Sequence, residues 1–107
     1  MVEQTILNKA ITGVESIIDV PFNTYGNSIG FQFTYSNLNG DTNLMPQISL
    51  NNGVSYDDFV AGQITLKVGN TSEAITITDV RSNYAFRWKV LASSASEGTI
   101  ESVYVNK

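Results

Sequence analysis

The strongest constraint in this sequence is a two-residue alternation of bulky and polar side chains. Between Ser28 and Ser36, Ile29, Phe31, Phe33 and Tyr35 fall on one side of an extended backbone, and Ser28, Gly30, Gln32, Thr34 and Ser36 fall on the other. Successive side chains of a strand point to opposite faces, so this run specifies a half-buried β-strand and is incompatible with an amphipathic helix. A second run repeats the pattern: Tyr84, Phe86, Trp88 and Val90 inward, Ala85, Arg87 and Lys89 outward. Trp88 is therefore expected in the core.

Weaker alternation joins these two strands to others. Val14, Ser16, Ile18 and Val20 share one face, with Glu15 and Asp19 opposite, and Pro21 ends that strand because proline cannot donate to a ladder. Ile48 and Leu50 alternate against Gln47 and Ser49. Val54 to Phe59 is expected to return as a short strand. Ile64, Leu66 and Val68 alternate with Thr65 and Lys67, and Ala74 to Thr78 forms a further strand. Thr5 to Ile11 is either a strand or a loose lead-in.

Between these runs lie turn signals. Asn37-Leu38-Asn39-Gly40-Asp41 and Gly69-Asn70 are turn clusters, and Asn52-Gly53 suits a type I′ turn because both residues tolerate positive φ. Ser93 to Gly98 reads as a flexible polar loop. In the last strand, Thr99 to Val105, Ile100 and Tyr104 are expected on one face and Val103 and Val105 on the other. A strand apolar on both faces is either central or covered by a partner. Seven or eight strands at about ten-residue spacing predict one all-β domain over residues 1–107, an antiparallel β-sandwich of jelly-roll or Ig-like type.

Composition narrows the function. The 107 residues carry only 15% charged side chains, against a usual value of about 25%. Ser, Thr and Asn supply the polar surface, at 32 positions. The net charge is −4 and the six Lys and Arg are scattered, so no cationic patch is expected to bind nucleic acid or an anionic membrane. With no Cys and no His, disulfides, thiolate nucleophiles and the commonest general base are excluded. Met1-Val2-Glu3-Gln4-Thr5 has an acid and no apolar run, unlike a signal peptide, so synthesis in the cytoplasm is expected.

No constellation in the sequence points firmly to chemistry. Asp57 and Asp58, with Asn51, Asn52 and Asp41, offer oxygen ligands, yet their spacing matches no calcium loop, and a solvated hairpin end is the better reading. Glu97 and Glu101 read as surface charge rather than a catalytic pair. Ser93, Ser94 and Ser96 have no histidine to activate them. Neither an enzyme nor a cofactor is expected. The candidate binding residues are the outward Arg87 and Lys89, with Arg81 nearby in sequence, the outward apolar pair Val103 and Val105, and the exposed aromatics Tyr25 and Tyr56.

The order of motifs resembles a β-sandwich domain of tailed-bacteriophage virion proteins. Thr5-Ile6-Leu7, Thr12-Gly13, Ile18-Asp19-Val20 and Ser28-Ile29-Gly30-Phe31-Gln32-Phe33 are similar to its opening. Gln47 to Asp58 is similar to a following segment, with Asn52 in place of its usual aspartate and Tyr56 in place of its usual tryptophan. Tyr84 to Val90 and Ser96 to Val105 are similar to its last two strands. The resemblance spans nearly the whole chain and brings no catalytic residues. It implies a head decoration or auxiliary capsid protein, made in the host cytoplasm and carried in the virion. The implied partners are the major capsid protein or other virion proteins, with self-association. Two alternatives remain: a carbohydrate-binding or tail/fibre adhesion module, for which Tyr25 and Tyr56 would be the stacking residues, and a phage-encoded inhibitor of a host protein.

Overall fold

A computed structural model of the chain describes residues 2–19, 28–78 and 85–106. Nine strands occur among them: β1 (Val2–Ala10), β2 (Ser16–Ile18), β3 (Ser28–Ser36), β4 (Thr42–Ser49), β5 (Asp57–Asp58), β6 (Ile64–Leu66), β7 (Ser72–Thr78), β8 (Ala85–Val90) and β9 (Thr99–Asn106). A single 3₁₀ turn, Val60–Gly62, joins β5 to β6. The fold is the expected antiparallel β-sandwich, with one or two more strands than the alternation alone resolves.

One sheet has the order β1-β9-β3-β7. The other runs β2-β8-β4, with β5 and β6 both paired to β4. The pairs β1·β9, β2·β8, β3·β7 and β4·β6 nest inside one another, as though one long hairpin had been rolled up. That nesting is the jelly-roll connectivity, and it decides between the two sandwich types expected from sequence.

The core forms where the two strongly alternating strands meet. Ile29, Phe31, Phe33 and Tyr35 of β3 and Phe86, Trp88 and Val90 of β8 are all buried, as their spacing predicts. Phe31 and Phe33 meet the Trp88 ring edge-to-face, with centroids at 5.1 and 5.0 Å. These rings belong to opposite sheets, so the contact glues the sandwich together. Tyr35 adds a tether: its hydroxyl donates to the Lys67 carbonyl at 2.9 Å and accepts from the Lys67 N–H at 3.0 Å. Burial raises the pKa of that phenol, and the Lys67 backbone contact partly opposes the rise.

In β9 the structure overturns an expectation. Val103 and Val105 are not on an outer face: they are 0% and 1% exposed and lie in the core with Ile100. Between Thr34 and Tyr35, β3 advances one residue while β9 advances two, from Ser102 to Ile100. Glu101 is the extra residue of a β-bulge, and it resets the alternation. Ile100, Val103 and Val105 thereby share the inner face, and Tyr104 turns outward with Ser102.

Other local expectations also shift. Val14 precedes β2 and is exposed, so it does not join Ile18 in the core. Ile48 is half-buried against the core, but Leu50 lies beyond β4 and is exposed, whereas Gln47 and Ser49 are buried on the outer face. Of the return from Val54 to Phe59, only Asp57–Asp58 is strand. Val68 sits past the end of β6, half in solvent. Thr5 to Ala10 is strand, part of β1, which ends its sheet among the described residues.

The loop from Ser93 to Gly98 is pinned rather than free. Asn39 Oδ1 accepts from the Ser96 and Glu97 N–H groups, both at 3.0 Å, and Asn39 Nδ2 donates to Ser96 Oγ. Ala95 is buried beneath it, so close to Gly13 and Gly40 that a Cβ on either glycine would press on the Ala95 backbone at 2.8 and 3.0 Å.

Candidate functional site

Strand polarity leaves two outer sheet faces, and they differ in character. On the β2-β8-β4 face, β8 projects Arg87 and Lys89 outward and pairs them with Gln47 and Met45 of β4. The β4–β5 hairpin folds its far end over these residues. Asn52 and Gly53 both have positive φ, +60° and +82°, and Val54 N–H donates to the Asn51 carbonyl, as the expected type I′ turn requires. Asn51 is held by Ser49 and Ser55, which fixes the loop.

The hairpin delivers Tyr56 and Asp58 to the sheet. Arg87 Cζ lies 4.1 Å from the Tyr56 ring centroid, a cation–π stack. Arg87 Nε donates to Gln47 Oε1, and Gln47 Nε2 donates to Asp58 Oδ1, each at 2.7 Å. Lys89 Nζ pairs with the same Asp58 oxygen at 3.4 Å. Donation from Gln47 holds the Asp58 carboxyl below the ordinary aspartate range, with Lys89 adding to the effect against some desolvation. Arg87 and Lys89 are thus outward, as expected, but each is engaged within the chain, and Tyr56 is half-buried rather than free.

The hairpin and the turn after it also carry exposed apolar side chains among their polar ones. Seven large hydrophobic side chains are exposed among the described residues, and three of them, Leu50, Val54 and Val60, come from this hairpin and the 3₁₀ turn after it. Val54 is 84% exposed at the hairpin tip. Tyr and Arg are among the residue types enriched at the centres of protein interfaces.

The oxygen ligands considered from sequence do not converge. Asp41 accepts from the Val68 N–H at the opposite end of β4 from Asp58. Asp58 is occupied by Gln47 and Lys89, and Asn51 by its own loop. Among the described residues, no group of three or more His, Cys, Asp or Glu is placed to hold a metal. Tyr25 and Arg81 lie outside the described residues.

The opposite face, formed by β1-β9-β3-β7, is built from three cross-strand rungs. They are Val2–Asn106–Gly30–Thr76, Gln4–Tyr104–Gln32–Ala74 and Ile6–Ser102–Thr34–Ser72. None of these twelve residues is charged. Sequence reasoning missed this face because it assigned Tyr104 to the side of Ile100. A signal was present: Val103 and Val105 are β-branched and apolar two residues apart, the better claim to the core. No family model, curated protein or solved structure matches the chain.

Proposed function

We propose that the chain is a non-enzymatic virion structural protein, an auxiliary or decoration-type component that docks on the bacteriophage capsid and stabilises the head. The observation that carries the docking reading is the Tyr56–Arg87 stack, fixed by Gln47 and Asp58 on a hairpin that also exposes Leu50 and Val54. Pre-organised aromatic and guanidinium groups lose little freedom on binding, so they yield more affinity per unit area than mobile side chains do. The virion reading is supported by the order of motifs along nearly the whole chain. The jelly roll adds a fold-level analogy only, since viral capsid and lectin domains both use it.

In this reading the partner is the major capsid protein or a neighbouring virion protein, and an ordinary contact would bury about 800 Å² on each side. Among the described residues β1 has a hydrogen-bonded neighbour on one side only, and that edge offers adjacent copies a second contact. The protein is made in the host cytoplasm and carried on the head. Co-sedimentation with capsids assembled without it tests the proposal. The intact protein is expected to bind at micromolar concentration, and Tyr56→Ala and Arg87→Ala are each expected to weaken binding about 30-fold, the effect of losing a hot-spot residue worth ~2 kcal/mol. No binding, or binding indifferent to both substitutions, overturns the reading.

A further inference from the structure

The three uncharged rungs of the β1-β9-β3-β7 outer face border a groove. It has a volume of about 240 Å³, and its lining includes Gly30, Gln32, Ala74, Thr76, Tyr104 and Asn106. The register explains its shape. Gly30 has no side chain and lies in one rung with Thr76 and Asn106; Ala74 lies in the next rung with Gln32 and Tyr104. Small residues therefore make the floor, and longer ones stand beside it. Glycine inside a strand weakens it and often marks a bulge, a bend, or a close approach of a ligand or another backbone.

The space is not forced by crowding. A Cβ built on Gly30 would meet Thr76 Oγ1 at 3.7 Å and Asn106 Cβ at 3.8 Å, ordinary contact distances. The polar groups around the groove are uncommitted: the side chains of Gln32, Thr76, Tyr104 and Asn106 make no hydrogen bond to another described residue.

We infer that this groove binds a neutral sugar ring. Tyr104 supplies an amphipathic aromatic surface, apolar on its face and polar at its tip. Gln32 and Asn106 each present a donor and an acceptor side by side, which matches adjacent hydroxyl groups, and Thr76 adds a hydroxyl. No residue of the three rungs is charged, so these rungs offer no ion pair to a phosphate, sulfate or carboxylate, and acidic sugars and phosphorylated ligands are disfavoured. The volume lies below the roughly 300 Å³ at which pockets for drug-sized ligands begin, which limits occupancy to a terminal ring. An open groove of this size binds weakly, with Kd on the order of 1 mM. The site is on the other sheet from the Tyr56–Arg87 cluster, so it stands independently of capsid docking.

The test is an amide chemical-shift titration of the full chain against neutral hexoses and their disaccharides, with a sialylated trisaccharide as the acidic probe, each taken to about 20 mM, well above that Kd. At least one neutral sugar is expected to shift Gly30, Gln32, Tyr104 and Asn106, and the acidic probe is not. Tyr104→Ala is expected to raise Kd at least tenfold. Gly30→Val fills the groove with a residue favoured in strands, so it is expected to abolish the shifts while the protein stays folded. Tyr56→Ala is expected to leave sugar binding unchanged, and Gly30→Val to leave capsid binding unchanged. The inference is overturned if no neutral sugar perturbs these residues, if the shifts map elsewhere, or if folded Gly30→Val binds as the parent does. It is also overturned if the face proves to be covered by a second copy of the chain in solution.

Discussion

Replacing Trp88 probes the contact on which the sandwich depends. The indole is fully buried, sits between Ile18 and Pro46 in the β2-β8-β4 sheet, and meets Phe31 and Phe33 across the core. Truncating such a residue to alanine removes its transfer free energy and leaves a cavity, together about 3–5 kcal/mol. One term runs the other way. Trp88 Nε1 is buried and has no hydrogen-bond partner among the described residues, and an aromatic surround offers it at most a weak π contact. Removing an unsatisfied buried donor offsets part of the loss, which places Trp88→Ala at the low end of that range, about 3 kcal/mol.

Trp88→Phe keeps an aromatic ring in the core and deletes that donor, so its cost is expected to be about 1–2 kcal/mol, below that of Trp88→Ala. A chain of this size has a total stability of about 5–15 kcal/mol, so the alanine variant loses a large share of it and the phenylalanine variant a smaller one. Urea unfolding followed by far-UV circular dichroism measures both, and the slope m is expected to stay constant while the midpoint falls. If Trp88→Ala costs less than about 1 kcal/mol, the indole is not the centre of this core. If Trp88→Phe costs as much as Trp88→Ala, the N–H has a strong partner and the reasoning about the orphan donor fails.

Three further predictions follow from the geometry. Val103→Asp buries an unpaired charge and is expected to abolish cooperative unfolding, whereas Tyr104→Ser is expected to cost under about 1 kcal/mol; thermal melts distinguish this order from its reverse, which an outward Val103 would require. Asn39→Ala removes three hydrogen bonds to the 96–97 backbone and Ser96 hydroxyl, and is expected to cost about 1–2 kcal/mol and to speed hydrogen exchange at the Ser96 and Glu97 amides. The Asp58 carboxyl titrates lower in the folded chain than in the unfolded one, so its contribution is present above the ordinary aspartate pKa of about 3.9 and lost as pH falls through the folded value. Urea midpoints measured from pH 6 down to pH 2 are expected to show this acid loss, and Asp58→Asn is expected to diminish it.

The parts of the fold legible in the sequence are those where one face is bulky at every second position without interruption. In β3 and β8 each bulky residue among the described positions lies inside, including Trp88. The alternation failed in β9 because one inserted residue at Glu101 inverts everything beyond it, and no local pattern announces a bulge. It failed in β4 because the β4–β5 hairpin covers the outer face and buries Gln47 and Ser49 there, a tertiary event. Alternation also assigns faces but not partners, which is why the nested jelly-roll pairing was not readable. The candidate site was half legible. Arg87, Lys89 and Tyr56 were singled out separately, but the stack that unites them needs Gln47 and Asp58, whose role depends on register. The sugar groove was not legible, since it depends on the reset of Tyr104 and on Gly30 falling beside Asn106 and Thr76.

Mass spectrometry of purified virions, with peptides of this chain quantified against those of the shell subunit, tests the proposed role most directly. Recovery at many copies per particle, released together with other head-surface proteins, is the predicted result. A chain found abundantly in infected cells but missing from washed particles would contradict it.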